Sequence, residues 1–270
     1  MIFAFLPLAT FALLAALMFR HLRLMGYSRR DTAILVVLAC VQLAAAFSAS
    51  TLHALLLALA LFIMAKAAMK FTAAQSARGV IALGLSLAAV QIVSPAGLLV
   101  SVIVVPTLAT AHVPDASRGK NAGLFLLLLF TPLMSAAVFA YLARELQFDP
   151  WSHMAGPFDD LIRSRIFDRL NPRRSGLIDA IALIAAAFPT WWMAARSRRA
   201  GVVAIIVCAL IAAVVAAALM QRSYAFGAFV PALGSLSLLA IAEIADRPYR
   251  AIALSAASAI FSWLLLAVSL

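Results

Sequence analysis

Residues 122–143 read AGLFLLLLFTPLMSAAVFAYLA, a stretch of 22 residues with no charged side chain. About 20 predominantly apolar residues suffice for an α-helix to cross the hydrocarbon core of a bilayer. Transmembrane β-strands instead run about ten residues and alternate apolar with polar positions. Residues 122–143 do not alternate, so this stretch predicts a transmembrane helix.

Nine further windows of 14 to 20 residues have little or no charge, and the whole chain is 66% apolar and 11% charged with a mean hydropathy of +1.08. These windows are 2–19, 32–47, 52–69, 80–93, 98–111, 177–194, 201–220, 228–245 and 251–270. The pattern predicts an all-α polytopic bundle of about ten spans. Residues 1–143 would hold spans 1–6 and residues 177–270 spans 7–10, with a long polar loop at 144–176. The pair 80–111 is open to a second interpretation as a re-entrant hairpin.

Basic residues cluster at the ends of the predicted spans, although the net charge of +11 could by itself suggest nucleic-acid binding. Loops in odd positions hold fourteen Lys and Arg and loops in even positions hold seven, of which six lie in 144–176 beside five acids. An excess of Lys and Arg marks cytoplasmic loops. We therefore expect a multi-pass protein of a bacterial-type inner membrane, with both termini and loop 144–176 outside, and no nucleic-acid partner.

Loop 144–176 is the long polar stretch of the chain. It begins with Arg144 and an aromatic turn around Asp149-Pro150-Trp151, followed by His153. Residues 158–170 then place apolar side chains at helical spacing on one side, which predicts an amphipathic helix lying in the membrane interface. Pro172 is expected to end this segment.

The same loop provides the candidate site residues. Asp149, Asp159 and Asp160 are candidates for catalysis, because a carboxylate can act as a general base. The candidates for binding a lipid or phosphate are Arg144, Trp151, His153, Arg163 and Arg165 in the loop, with Arg222 and Tyr224 on the same predicted side. Guanidinium groups bind phosphate in a bidentate manner. A simpler interpretation is an ion-paired linker helix that meets ordinary membrane lipids. No metal site and no cofactor are expected.

Several short motifs occur in order along the chain. They are Ser94-Pro95-Ala96-Gly97-Leu98-Leu99, Thr131-Pro132-Leu133, Phe148-Asp149-Pro150-Trp151, Gln221-Arg222-Ser223-Tyr224 and Phe229-Val230-Pro231-Ala232-Leu233. Together they resemble the GT-C superfamily of polytopic glycosyltransferases, which use polyprenyl-phosphate sugars. The resemblance implies a protein that acts on lipid-linked glycans at the outer membrane face, with a polyprenyl-phosphate-linked glycan as a partner.

The chain departs from the GT-C pattern at its catalytic element. In that family the catalytic residue is an acidic side chain in the first outer loop, whereas the first two even loops of this chain contain no acid. In addition, Ser94 stands where the family pattern has an arginine. The chain is then a non-catalytic relative, or another subunit supplies the missing element, or membrane composition alone produces the likeness.

Three functions follow from these patterns. The first is a GT-C-like protein that acts in, or scaffolds, the assembly of lipid-linked glycan or envelope polysaccharide. The second is a non-enzymatic subunit of a larger membrane complex, with other membrane proteins as partners. The third is a small-molecule transporter. Transport ranks last because the predicted midplane is nearly all Ala, Leu, Val and Ile, with Gln42 and Gln91 as isolated polar residues.

Overall fold

The computed structural model describes residues 2–44, 51–73, 77–93, 97–110 and 229–268. It also describes residues 130, 133–134, 137, 141, 184, 188–192, 203–204 and 206–212. In these ranges the chain is α-helical apart from short links, and no strand occurs in the described part. The predicted all-α class is therefore confirmed.

Within the described ranges, seven helices are continuous. They are α1 (Ile2–Leu24), α2 (Arg29–Ala44), α3 (Thr51–Ala73), α4 (Ala77–Val93), α5 (Gly97–Thr110), α6 (Phe229–Ile244) and α7 (Pro248–Val268). Each coincides with one predicted window. Several helices, such as α1 and α3, extend past their window by three to five residues. These extensions include Arg20, Arg23 and Lys70, because a helix continues into the interface while the predicted windows of α1 and α3 end next to a charged residue.

Contacts between the helices give their directions. The ring of His21, near the end of α1, meets Phe62 in α3 edge to face with centroids 5.9 Å apart. The Tyr27 hydroxyl, just beyond α1, donates a hydrogen bond to the Ala242 carbonyl near the end of α6. Helices α1, α3 and α6 therefore end on the same side of the bundle.

Helix α2 runs in the opposite direction to α6. A Cβ built on Gly234, early in α6, would lie 3.4 Å from Oε1 of Gln42 near the end of α2. The small glycine thus lets the two helices approach closely at this point. The alternation of span directions along the whole chain stays a prediction.

Helix α6 is the centre of the described bundle. It packs against α1, α2, α3 and α7, and every side chain from Ala232 to Ala242 is buried. A helix that is apolar on all sides is expected to be enclosed by other helices.

The buried polar groups near α6 are mostly satisfied locally. The Ser235 and Ser237 hydroxyls donate to carbonyls one turn back in α6, at 2.8 and 2.7 Å, and the Thr190 hydroxyl donates to the Ser237 carbonyl at 3.3 Å. Gln91 of α4 donates to the Ser101 hydroxyl of α5 at 3.3 Å. The expectation that Gln91 is isolated is therefore wrong, because the α4–α5 pairing gives its side chain a partner.

Two described helices are long and apolar enough to cross a membrane, Leu6–Leu24 in α1 and Ala54–Phe71 in α3. Helix α1 places Leu6, Leu8 and Leu13 on its surface, with 44%, 62% and 50% of each side chain exposed. Arg78–Val93 and Ala232–Ile244 are apolar but shorter. The count of ten spans and the choice between two spans and a re-entrant hairpin for 80–111 stay predictions.

Candidate functional site

All described Asp, Glu, Lys and Arg residues lie at one end of the bundle, which we call the basic end. It comprises the ends of α1, α3 and α6 and the starts of α2, α4 and α7. Nine basic residues lie there, namely Arg20, Arg23, Arg29, Arg30, Lys66, Lys70, Arg78, Arg247 and Arg250. The acids of the described part are Asp31, Glu243 and Asp246. The basic end therefore has an excess of positive charge, and the opposite end has no charged residue within the described ranges.

The link between α1 and α2 is built by local sequence. Gly26 has a φ of +92°, and the N–H of Tyr27 reaches the Leu22 carbonyl at 3.3 Å while that of Gly26 reaches Arg23 at 3.2 Å. This pair of bonds is a Schellman ending of α1. Ser28 then caps α2. Its hydroxyl accepts a hydrogen bond from the Asp31 N–H at 3.1 Å and donates one to the Asp31 carboxylate at 2.7 Å.

Tyr27 joins this link to the central helix. Its side chain is 7% exposed, and its hydroxyl bonds the carbonyl of Ala242, one of the last four carbonyls of α6 that have no partner inside the helix. Burial raises the pKa of the Tyr27 phenol, and the nearby Asp31 carboxylate raises it further. The phenol therefore stays neutral and donates across the pH range in which proteins normally work.

Glu243 lies beside Tyr27's partner at the end of α6. Its carboxylate accepts a hydrogen bond from the backbone N–H of Val203, while Oε2 is buried and has no hydrogen-bond partner among the described residues. Glu243 thus joins Val203 to α6.

Three basic residues and one histidine from two adjacent helices form what we call the basic cluster, comprising Arg20 and His21 of α1 and Lys66 and Lys70 of α3. The positive charges of Lys70 and Arg20 act on Lys66, and the His21 ring lies close enough to feel the charge of Lys66. The Lys66 ammonium lies 5.8 Å from the centre of the Phe62 ring, which also contacts His21. Within the described ranges none of the four forms an ion pair with a carboxylate. This arrangement is suited to an anion.

The residues predicted as a site from the sequence lie outside the described ranges. These are Asp149, Asp159 and Asp160 for catalysis, and Arg144, Trp151, His153, Arg163, Arg165, Arg222 and Tyr224 for lipid or phosphate binding. Among the described residues, no three His, Cys, Asp or Glu side chains come together as a metal site would require.

Comparison of the chain with protein-family models, with curated proteins and with solved structures found no match. The likeness to the GT-C superfamily accordingly rests on the short motifs alone.

Sequence reasoning missed the basic cluster as a site, although it used Arg20, Lys66 and Lys70 to orient the chain. Arg20 and His21 are 46 and 45 residues before Lys66, and nothing in the sequence says that α1 packs on α3. The basic cluster could have been predicted from the common direction of spans 1 and 3, which places their basic ends at the same depth.

Proposed function

We propose that the protein is a multi-pass inner-membrane protein whose basic end faces the cytoplasm and whose loop 144–176 lies outside. In this role it acts in, or scaffolds, the assembly of lipid-linked glycans at the outer face. The observation that carries the membrane part of the proposal is the separation of charge, since all nine described Lys and Arg residues lie at one end of the bundle.

Charge separation of this kind supports an orientation because Lys and Arg are retained on the cytoplasmic side of a membrane. Large apolar side chains on the surface support the membrane environment. Leu8, Leu13, Val37, Ile81, Leu85 and Val102 are 50% to 62% exposed in four different helices. Soluble proteins rarely expose apolar surface on this scale.

The glycan part of the proposal rests on the sequence motifs and on the phosphate-binding chemistry of loop 144–176. The sequence places Arg144, Arg163 and Arg165 in that loop, with Asp149 and Asp159 as its candidate acids. Arginine suits a lipid-linked phosphate or pyrophosphate because it donates two parallel hydrogen bonds.

Topology is tested with paired reporters, alkaline phosphatase and a fluorescent protein that matures only in the cytoplasm. Fusions after Leu270 and within 144–176 should give phosphatase activity, whereas a fusion after Arg199 should fluoresce. Fluorescence of the Leu270 fusion together with loss of phosphatase activity would overturn the orientation.

The glycan role is tested with a quadruple variant, Asp149→Asn, Asp159→Asn, Arg163→Gln and Arg165→Gln, in the native host. We expect lipid-linked glycan or envelope polysaccharide to fall while the protein remains in the membrane fraction. A matched control, Arg247→Gln with Arg250→Gln, changes charge at the opposite end and should leave the product unchanged. Normal glycan in the quadruple variant would refute the role, and stable copurification with other membrane proteins would then favour a structural subunit.

A further inference from the structure

The exposed surface of α3 ends in the basic cluster. Among the side chains described between Leu52 and Phe71, those that reach the surface are Leu56, Leu59, Ile63, Lys66, Met69 and Lys70. Five of these follow helical spacing and form a single stripe from Leu56 to Lys70. The other described side chains of α3 between Leu52 and Phe71 are buried, and the helix packs against α1, α4 and α6. We call this stripe the α3 surface.

The α3 surface has two parts with different chemistry. Leu56, Leu59 and Ile63 are apolar, and Lys66 and Lys70 follow one and two turns later. The helix rises about 15 Å over the ten steps from Leu56 to Lys66, at 1.5 Å per residue. This is about half of the hydrocarbon thickness of a bilayer, or one leaflet. An apolar strip one leaflet long that ends in positive charge matches the shape and polarity of a phospholipid.

The charges beside Lys66 favour an anion more than an ordinary helix end does. Basic residues near a helix C-terminus interact favourably with the helix dipole, which accounts for one or two of them. The dipole does not account for the approach of charges from two helices, since Lys70 of α3 and Arg20 of α1 both repel the Lys66 ammonium. Lys66 is partly buried over Phe62, where water screens this repulsion less than at the surface.

We propose that the basic cluster and the α3 surface bind one anionic phospholipid of the leaflet at the basic end. Arg20, Lys66 and Lys70 hold its phosphate beside the His21 ring, and Leu56, Leu59 and Ile63 contact an acyl chain. The site uses none of the residues proposed to bind phosphate in 144–176, and it requires no glycan chemistry.

Native mass spectrometry of the purified full chain in detergent tests the site. The probes are phosphatidylglycerol, phosphatidylcholine and inorganic phosphate, titrated separately. We expect phosphatidylglycerol to bind with one saturable stoichiometry. Phosphatidylcholine should bind at least about tenfold more weakly because it has no net charge, while a basic residue attracts an anionic headgroup. Equal binding of the two lipids would overturn the proposal, as would full competition by millimolar inorganic phosphate.

Substitutions separate the cluster from general surface charge. Lys66→Gln with Lys70→Gln should weaken phosphatidylglycerol binding by about tenfold or more. The matched control, Arg29→Gln with Arg30→Gln, removes the same charge from exposed positions at the start of α2 and should change binding less than about twofold. Lys66→Arg with Lys70→Arg should keep binding because the charge remains. Equal losses in the two glutamine variants would overturn the proposal.

Two measurements separate loss of binding from loss of folding. Each variant is checked for helix content and thermal midpoint in the same detergent, and the arginine variant serves as a folded reference with intact charge. Membrane localisation is assayed independently, so that failure of lipid binding in a membrane-inserted protein refutes this site while leaving the proposed glycan role untouched.

Discussion

At the residue scale, Tyr27 connects local sequence to tertiary packing. Gly26 ends α1 in a left-handed conformation, and the turn places Tyr27 so that its hydroxyl reaches Ala242, 215 residues further along the chain. Leu22 and Tyr27, the two ends of the Schellman bond, both belong to the hydrophobic core. The four-residue link between Leu24 and Arg29 is thereby held against the central helix.

Removal of this hydrogen bond should destabilise the protein. For Tyr27→Phe we expect a loss of about 1–2 kcal/mol, because the ring still packs while a buried carbonyl loses its donor. Unfolding in mixed detergent measures the difference. A matched tyrosine variant is Tyr249→Phe, whose parent side chain is 57% exposed and which should change stability by less than about 0.5 kcal/mol. Equal stability of the Tyr27 variant and the parent protein would contradict the bond's role.

The raised pKa of Tyr27 predicts a pH dependence with a definite sign. Burial and the Asp31 charge disfavour the phenolate in the folded state, whereas in the unfolded chain the phenol ionises near its ordinary value of about 10. The stabilisation is complete below that value and is lost as pH rises through the higher folded pKa. Between about pH 9 and 11 the parent protein should lose more stability than Tyr27→Phe. Parallel pH profiles for the two proteins would refute this.

At the scale of the helices, hydroxyl groups have two distinct roles. Ser28 caps the start of α2 and bonds Asp31 through both its oxygen lone pair and its proton. Ser86 instead donates 2.7 Å to the Leu83 carbonyl of its own helix α4. The first serine satisfies a helix end that has no other partner, while the second bonds a carbonyl that the helix already uses.

This difference predicts unequal effects for the same substitution. Ser28→Ala should cost about 1 kcal/mol because the cap is lost. Ser86→Ala should change stability by less than about 0.5 kcal/mol, because alanine has the higher helix propensity and no buried group loses its only partner. Thermal unfolding of both variants in one detergent provides the comparison, and a larger loss for Ser86→Ala would contradict this assignment.

At the scale of the whole molecule, charge and apolar surface are separated along the axis of the bundle. The described charged groups lie at the basic end, and the flanks of α1 show exposed leucines along their length. In water such leucines would be a liability, whereas in a bilayer they face lipid. Whether a charged substitution on that face stabilises or destabilises the protein therefore depends on whether the face contacts lipid or water.

Two substitutions of exposed leucines in α1 distinguish the environments. Leu13 is 50% exposed near the middle of the helix and Leu24 is 73% exposed at the basic end. In a membrane, Leu13→Lys should cost about 2.5–3.5 kcal/mol of insertion free energy, and Leu24→Lys should cost little because lysine reaches the interface.

The measurement is the amount of each variant that resists alkaline extraction from the membrane fraction. A clear fall for Leu13→Lys, with Leu24→Lys near the parent level, is the expected result. A water-soluble fold would tolerate both changes equally, so similar membrane yields for the two variants would contradict the membrane assignment.

The sequence by itself determined the helical class, the approximate helix bounds and the end of each helix at which charge lies. These follow from local composition, because an uncharged window and its flanking arginines are contiguous in the chain. Only the tertiary structure decided that α6 is central and that α1 packs on α3 to gather Arg20, His21, Lys66 and Lys70. Hydropathy does not specify which helices pack together, because windows of similar hydropathy look alike. Close contacts at small residues such as Gly234 decide which helices become neighbours.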